Sequence, residues 1–118
     1  MDELAGRRVL VVEDEALVAV MVADMLEELG VVVVGPAGTL EEGLALAQHE
    51  TLDAAVLDVN LRGERIDPVA EVLAARGIGF VFATGYGEAP KGPFAATPII
   101  DKPYGVERLA ELLRSVIA

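Results

Sequence analysis

The chain has 118 residues, 53% of them hydrophobic, which suits a single packed domain, and 20 acidic against 9 basic residues give it a net charge of −11. That charge repels nucleic-acid phosphates and anionic membrane surfaces, and no basic stripe offsets it, so neither is expected as a partner. With no cysteine there are no disulfides or thiolate metal sites, no apolar run reaches the roughly 20 residues of a membrane span, and the acidic start Met1-Asp2-Glu3 is unlike a secretory signal; the expectation is a cytoplasmic domain.

The first predicted strand covers about Arg8 to Val12 and runs into Glu13-Asp14. A helix follows from about Glu15 to Leu29 and stops at Gly30, a residue suited to a left-handed cap. This helix carries Ala16, Leu17, Val18, Ala19, Val20, Met21 and Val22, more apolar surface than one sheet face can bury. That excess predicts a docking surface for another helical protein. Strand two is Val31 to Val34, broken by Gly35-Pro36. Thr39 and Glu42 form a capping box that starts helix two near Leu40. His49, the lone histidine, falls at the solvated end of that helix, where the dipole favours it.

Strand three, Ala54 to Leu57, leads into Asp58. Asp67 is placed to cap a third helix beginning at Pro68 and ending at Gly77. Strand four, Phe80 to Ala83, ends in Thr84-Gly85. The next fourteen residues, 85–98, contain three prolines and three glycines, so the helix expected in this crossover is short, frayed or absent. Strand five, Ile99 to Asp101, precedes Lys102-Pro103, and a last helix spans about Val106 to Ile117. Strands two to four are apolar at consecutive positions, as when helices cover both faces of a parallel sheet.

Alternating strands and helices predict an α/β fold, a doubly wound parallel sheet of five strands. In such sheets ligands bind at the carboxyl ends of the strands. Four strand ends would gather Glu13, Asp14, Asp58, Thr84 and Lys102 in one pocket. Oxygen ligands of this kind suit magnesium, with Glu13, Asp14 and Asp58 as carboxylates and the Asn60 backbone carbonyl as a further ligand. A carboxylate at the end of a buried strand is costly unless something uses it, and Asp58 is the best-placed nucleophile for a phosphoryl group. Lys102 supplies a cation, and Thr84 a hydroxyl donor, for the phosphoryl oxygens.

These residues resemble the receiver domain of bacterial response regulators, over essentially the whole chain. The resemblance implies a flavodoxin-like sheet in the order 2-1-3-4-5 and a magnesium-dependent phosphoacceptor at Asp58. It also implies a sensor histidine kinase or phosphotransfer protein as donor, a downstream protein target and autodephosphorylation, with no turnover of an external substrate. Phe82-Ala83-Thr84-Gly85-Tyr86 is similar to the "FAT GUY" subgroup of mostly single-domain receivers, often associated with HWE-type kinases. Residues 1–118 are then all receiver, with no room for an effector domain, so output runs through protein contacts or the domain serves as a phosphate sink. One position departs from the family: Ile99 stands where receivers carry a switch Tyr or Phe. Tyr86, Tyr104 and ordering of the 87–98 loop are the alternatives. Rival readings are a phosphorylation-independent receiver-like scaffold, an aspartyl-phosphate phosphatase and a flavodoxin-type electron carrier. The phosphatase lacks length for a cap, and Glu13-Asp14-Glu15 would repel a flavin phosphate.

Overall fold

The computed structural model describes residues 3–85, 92–102 and 104–117. Strand β1 (Arg8–Val12) pairs in parallel with both β2 (Val32–Ala37) and β3 (Ala54–Asp58). Beyond β3 lie β6 (Gly79–Thr84) and β7 (Ile99–Asp101). The five-stranded order is β2-β1-β3-β6-β7. The labels β4 (Asn60–Leu61) and β5 (Glu64–Arg65) belong to a small separate ribbon, so the main sheet has the expected order 2-1-3-4-5.

Residue parity along the strands divides the core in two. Leu10, Val12, Leu57 and Phe82 face α2 (Leu40–His49) and α3 (Asp67–Ala75), against Ala47, Val69 and Leu73. Val9, Val11, Val81 and Ile100 face α1 (Ala16–Glu28) and α4 (Val106–Val116), against Val22, Leu26, Leu109 and Leu113. Each fully buried leucine contributes about 2 kcal/mol by removal from water.

Local signals set the helix limits. The Thr39 hydroxyl accepts the Glu42 N–H at 3.1 Å, as the capping box requires. Gly30 and Gly77 sit at φ 82° and 73°. The N–H after each reaches back to the third-last helical carbonyl, Val31 to Leu26 and Ile78 to Leu73.

Two expectations need correction, and one element is new. Strand β2 does not stop at Gly35-Pro36 but continues to Ala37, with a register shift opposite Leu10 and Val12. An edge strand tolerates a missing N–H at such an irregularity. Asp67 is the first helical residue rather than the cap; Ile66 holds that position, and the Asp67 carboxylate pairs with Arg65 instead. The β4–β5 ribbon was not anticipated. Its turn, Arg62-Gly63, has φ of 50° and 87°, a hairpin geometry usually signalled by Asn-Gly or Asp-Gly.

Between β6 and β7, described residues 92–98 contain one 3-10 turn, Gly92–Phe94, as the proline content led us to expect. Phe94 packs edge-on against Phe80 and Phe82, with ring centroids 5.8 and 6.2 Å away. Residues 86–91, including Tyr86 and part of the predicted 87–98 loop, lie outside the described residues.

Candidate functional site

The carboxyl ends of β1, β3, β6 and β7 meet on one edge of the sheet, tied together by backbone bonds. Val59 donates to the Ala83 carbonyl at 3.1 Å, and Lys102 to the Thr84 carbonyl at 2.8 Å. This places Glu13, Asp14, Asp58, Thr84 and Lys102 together, as the sequence led us to expect. Carboxylate oxygens of Glu13, Asp14 and Asp58 all lie within 4.8 Å of one another. Asp14, Asp58, Asn60, Thr84 and Lys102 line a cavity of about 610 Å³.

Glu13, Asp58 and Thr84 are buried polar residues, with 4%, 7% and 3% of their surface exposed. Two buried carboxylates demand a counter-charge. Lys102 provides it: its Nζ lies 2.7 Å from Glu13 Oε1 and 3.1 Å from Asp58 Oδ2. Sequence reasoning assigned Glu13 to the metal alone and missed its contact with Lys102. The second Glu13 oxygen accepts the Glu15 N–H at 3.1 Å, which orients the carboxylate across the turn into α1.

The ribbon closes the other side. Asp58 Oδ1 faces the Asn60 N–H at 3.4 Å, a long contact. Asp14 Oδ2 accepts the Arg62 N–H at 3.0 Å, and the Asn60 side-chain oxygen accepts the Gly63 N–H at 2.8 Å. Val59 accepts the Ile66 N–H, so the intervening Asn60–Arg65 pair falls at a non-hydrogen-bonded position of the ladder. The Asn60 N–H and carbonyl therefore share the ribbon edge that borders Asp58.

Burial pushes the Glu13 carboxyl up from 4.5 to about 7; the Asp58 carboxylate adds to this, while Lys102 and the Glu15 N–H oppose it. Burial would lower Lys102, but the Glu13 and Asp58 carboxylates outweigh that and raise it. Tyr104, a further wall of the cavity, has its phenol raised by burial and then by the same two carboxylates.

Because the folded chain holds the Glu13 proton more tightly than the unfolded chain, this group's stabilising contribution is complete below about pH 4.5. It is lost as pH rises through about 7. In metal-free urea denaturation, the native protein is expected to lose stability between pH 5 and 8 relative to Glu13→Gln. Parallel profiles for the two proteins would contradict this assignment.

An all-oxygen donor set with no nearby thiolate suits a hard divalent cation. Apolar residues also line the cavity: Val18, Met21, Val22 and Met25 of α1, together with Tyr104. On the same helix Leu17, Val20 and Met21 are 74%, 56% and 50% exposed, so the predicted apolar excess is real. His49 ends α2 and is exposed. Among the described residues, no helix is long and apolar enough to cross a membrane.

No protein-family model matches the chain. It is 36% identical over 88 residues to the transcriptional regulatory protein PdtaR of Mycobacterium tuberculosis, covering 74% of this chain and 43% of that regulator's length. The solution structure of SdrG from Sphingomonas melonis Fr1 is 41% identical, with a TM-score of 0.84 over 97% of this chain and 98% of SdrG. A CheY-like response regulator receiver domain protein from Methanospirillum hungatei JF-1 is 26% identical, with a TM-score of 0.81 over 94% and 93% of the two chains. Shared sequence and a matching backbone over almost the full length of SdrG, with the likeness to a CheY-like receiver and to PdtaR, lead to one assignment: the chain belongs to the CheY-like receiver domains of response regulators.

Proposed function

We propose that this receiver accepts a phosphoryl group on Asp58 from the phosphohistidine of a sensor histidine kinase or phosphotransfer protein. The observation that carries the reading is the placement of a buried Asp58 3.1 Å from Lys102 and within 4.8 Å of two further carboxylates. Glu13, Asp14, Asp58 and the Asn60 carbonyl would hold magnesium. Bound there, the ion supplies positive charge that lets a phosphoryl group approach three carboxylates.

The chain's own residues account for the rest. An Asp58 carboxylate oxygen attacks phosphorus in line, and its O–P bond forms as the P–N bond of the donor breaks. The departing imidazole keeps the bonding electron pair and takes its proton from solvent. Lys102, already beside Asp58 Oδ2, shifts its charge onto a phosphoryl oxygen. Thr84, at the end of β6, supplies a hydroxyl to another. Phe82-Ala83-Thr84-Gly85 supports placement in the "FAT GUY" subgroup and, through it, an HWE-type kinase as donor.

Incubation with magnesium and acetyl phosphate, followed by intact-protein mass spectrometry, tests the reading. The expected result is addition of a single alkali-labile phosphoryl group, abolished when EDTA removes the metal. Equal labelling with and without chelator would refute the metal requirement.

The kinase docks, on this reading, against α1. Leu17, Val20 and Met21 share one exposed face at helical spacing, and Met21 also lines the cavity that holds Asp58. An apolar helix of the kinase's dimerisation domain fits that face while its phosphohistidine enters the cavity. Leu17→Glu with Val20→Glu is expected to slow transfer from the cognate kinase at least tenfold and leave acetyl phosphate labelling unchanged. Equal slowing of both reactions would point to a folding defect and remove the docking assignment.

A further inference from the structure

Arg62 stands at the tip of the β4–β5 ribbon with φ 50°, a left-handed conformation that glycine adopts freely and arginine does not. The turn is tied to the site twice, through the Arg62 N–H to Asp14 and the Gly63 N–H to the Asn60 side chain. Arg62 lines the cavity shared by Asp14, Asp58, Thr84 and Lys102. Among the described residues that line it, Arg62 and Lys102 are the two basic ones. Other arginines are committed elsewhere: Arg7 to Asp53, Arg8 to Glu50, Arg65 to Asp67, Arg108 to Glu111 and Arg76 to the Ala47 carbonyl. Among the described residues the Arg62 guanidinium has no ion-pair or hydrogen-bond partner.

Charge balance gives this arginine a task. When the three carboxylates are ionised, Lys102 and one divalent cation bring the cluster to neutrality. An arriving phosphoryl group carries nearly two further negative charges at neutral pH. It must also approach a chain whose net charge is −11. A guanidinium presents a planar fork of donors matched to phosphate oxygens.

We propose that Arg62 binds the phosphoryl group of the incoming donor, drawing it to the cavity mouth and aligning it for attack by Asp58. This inference rests on the phosphoacceptor reading. It makes Arg62 a substrate-binding residue for phosphohistidine and small acyl phosphates alike, since both present the same phosphoryl oxygens. The ribbon is then a working part of the site, and its turn fixes the Arg62 backbone against Asp14.

Labelling rates with acetyl phosphate at saturating magnesium, together with separate magnesium titrations, test the proposal on native protein, Arg62→Gly and Arg62→Lys. Glycine removes the guanidinium and suits the turn's positive φ, so the ribbon is retained. Arg62→Gly is expected to lower the second-order rate constant about tenfold, with magnesium affinity changed less than twofold. Arg62→Lys should recover part of the loss, and raised salt should slow the native protein more steeply than Arg62→Gly. An unchanged rate in Arg62→Gly, with native protein labelled and Asp58→Asn unlabelled, would overturn the role of Arg62 and leave the acceptor reading intact. A parallel tenfold loss of magnesium affinity would also overturn it, by showing that Arg62 acts through Asp14. If native protein takes up no phosphoryl group, the acceptor reading falls and this inference falls with it.

Discussion

Asp58→Asn is expected to lose phosphoryl uptake entirely, from acetyl phosphate and from a phosphorylated kinase, while remaining folded. The amide has the shape of the carboxylate and keeps one oxygen for Lys102; its NH2 replaces the oxygen that faced the Asn60 N–H, giving up a contact that is already long at 3.4 Å. It removes one negative charge from a pocket that holds three, so Lys102 is left with Glu13 as its single charged partner at 2.7 Å. Metal-free stability is therefore expected within about 1 kcal/mol of the native protein, measured by urea denaturation. Because Asp58 raises the Glu13 carboxyl, the Glu13 value should also fall in this variant, read from the pH profile. Retained labelling at full stoichiometry would move the acceptor to another residue and end the case for Asp58.

Lys102→Ala has the second large effect, and it strikes stability and chemistry together. The substitution deletes both short contacts of the ammonium, at 2.7 Å to Glu13 and 3.1 Å to Asp58. Two carboxylates that are almost fully buried then face each other without a cation. Removing one partner from a buried pair costs several kcal/mol, and the 15% exposure of the Lys102 side chain reduces that to about 2–3 kcal/mol at pH 8 without metal. Protonation of Glu13 at pH 5 should recover most of the loss. Labelling by acetyl phosphate is expected to fall about 100-fold, because a charge that stabilises the transferring oxygens is gone. Magnesium affinity should change much less, since the carboxylates remain. A variant that labelled at the native rate would contradict the assigned role of Lys102.

What the sequence disclosed about this fold is what local chemistry controls. Thr39 and Glu42 marked the start of α2 because a hydroxyl and a glutamate at that spacing satisfy free N–H groups wherever they occur. Gly30 and Gly77 marked two helix ends because a left-handed residue is needed there. Consecutive apolar strands implied a doubly covered sheet, and such a sheet brings its carboxyl ends to one edge; Glu13, Asp14, Asp58, Thr84 and Lys102 followed as a group. Long-range context decided what was missed. Gly35-Pro36 reads as a break, yet at a sheet edge β2 absorbs it with a register shift. Arg62-Gly63 does not read as a tight hairpin, because the positive φ at arginine is held by tertiary ties such as the bond from its N–H to Asp14. The contact between Lys102 and Glu13 joins residues 89 positions apart, and no spacing rule reports which of several acids a lysine will choose.

The irregular half of β2 bears on how this molecule avoids sticking to itself. A parallel sheet leaves its outermost strand with unsatisfied amides, an invitation to fibrous stacking. Here that border is interrupted at Pro36, which has no amide hydrogen to offer, and the rung it would have supplied cannot be copied by a second molecule. Growth by strand addition along β2 is thereby curtailed beyond Val34.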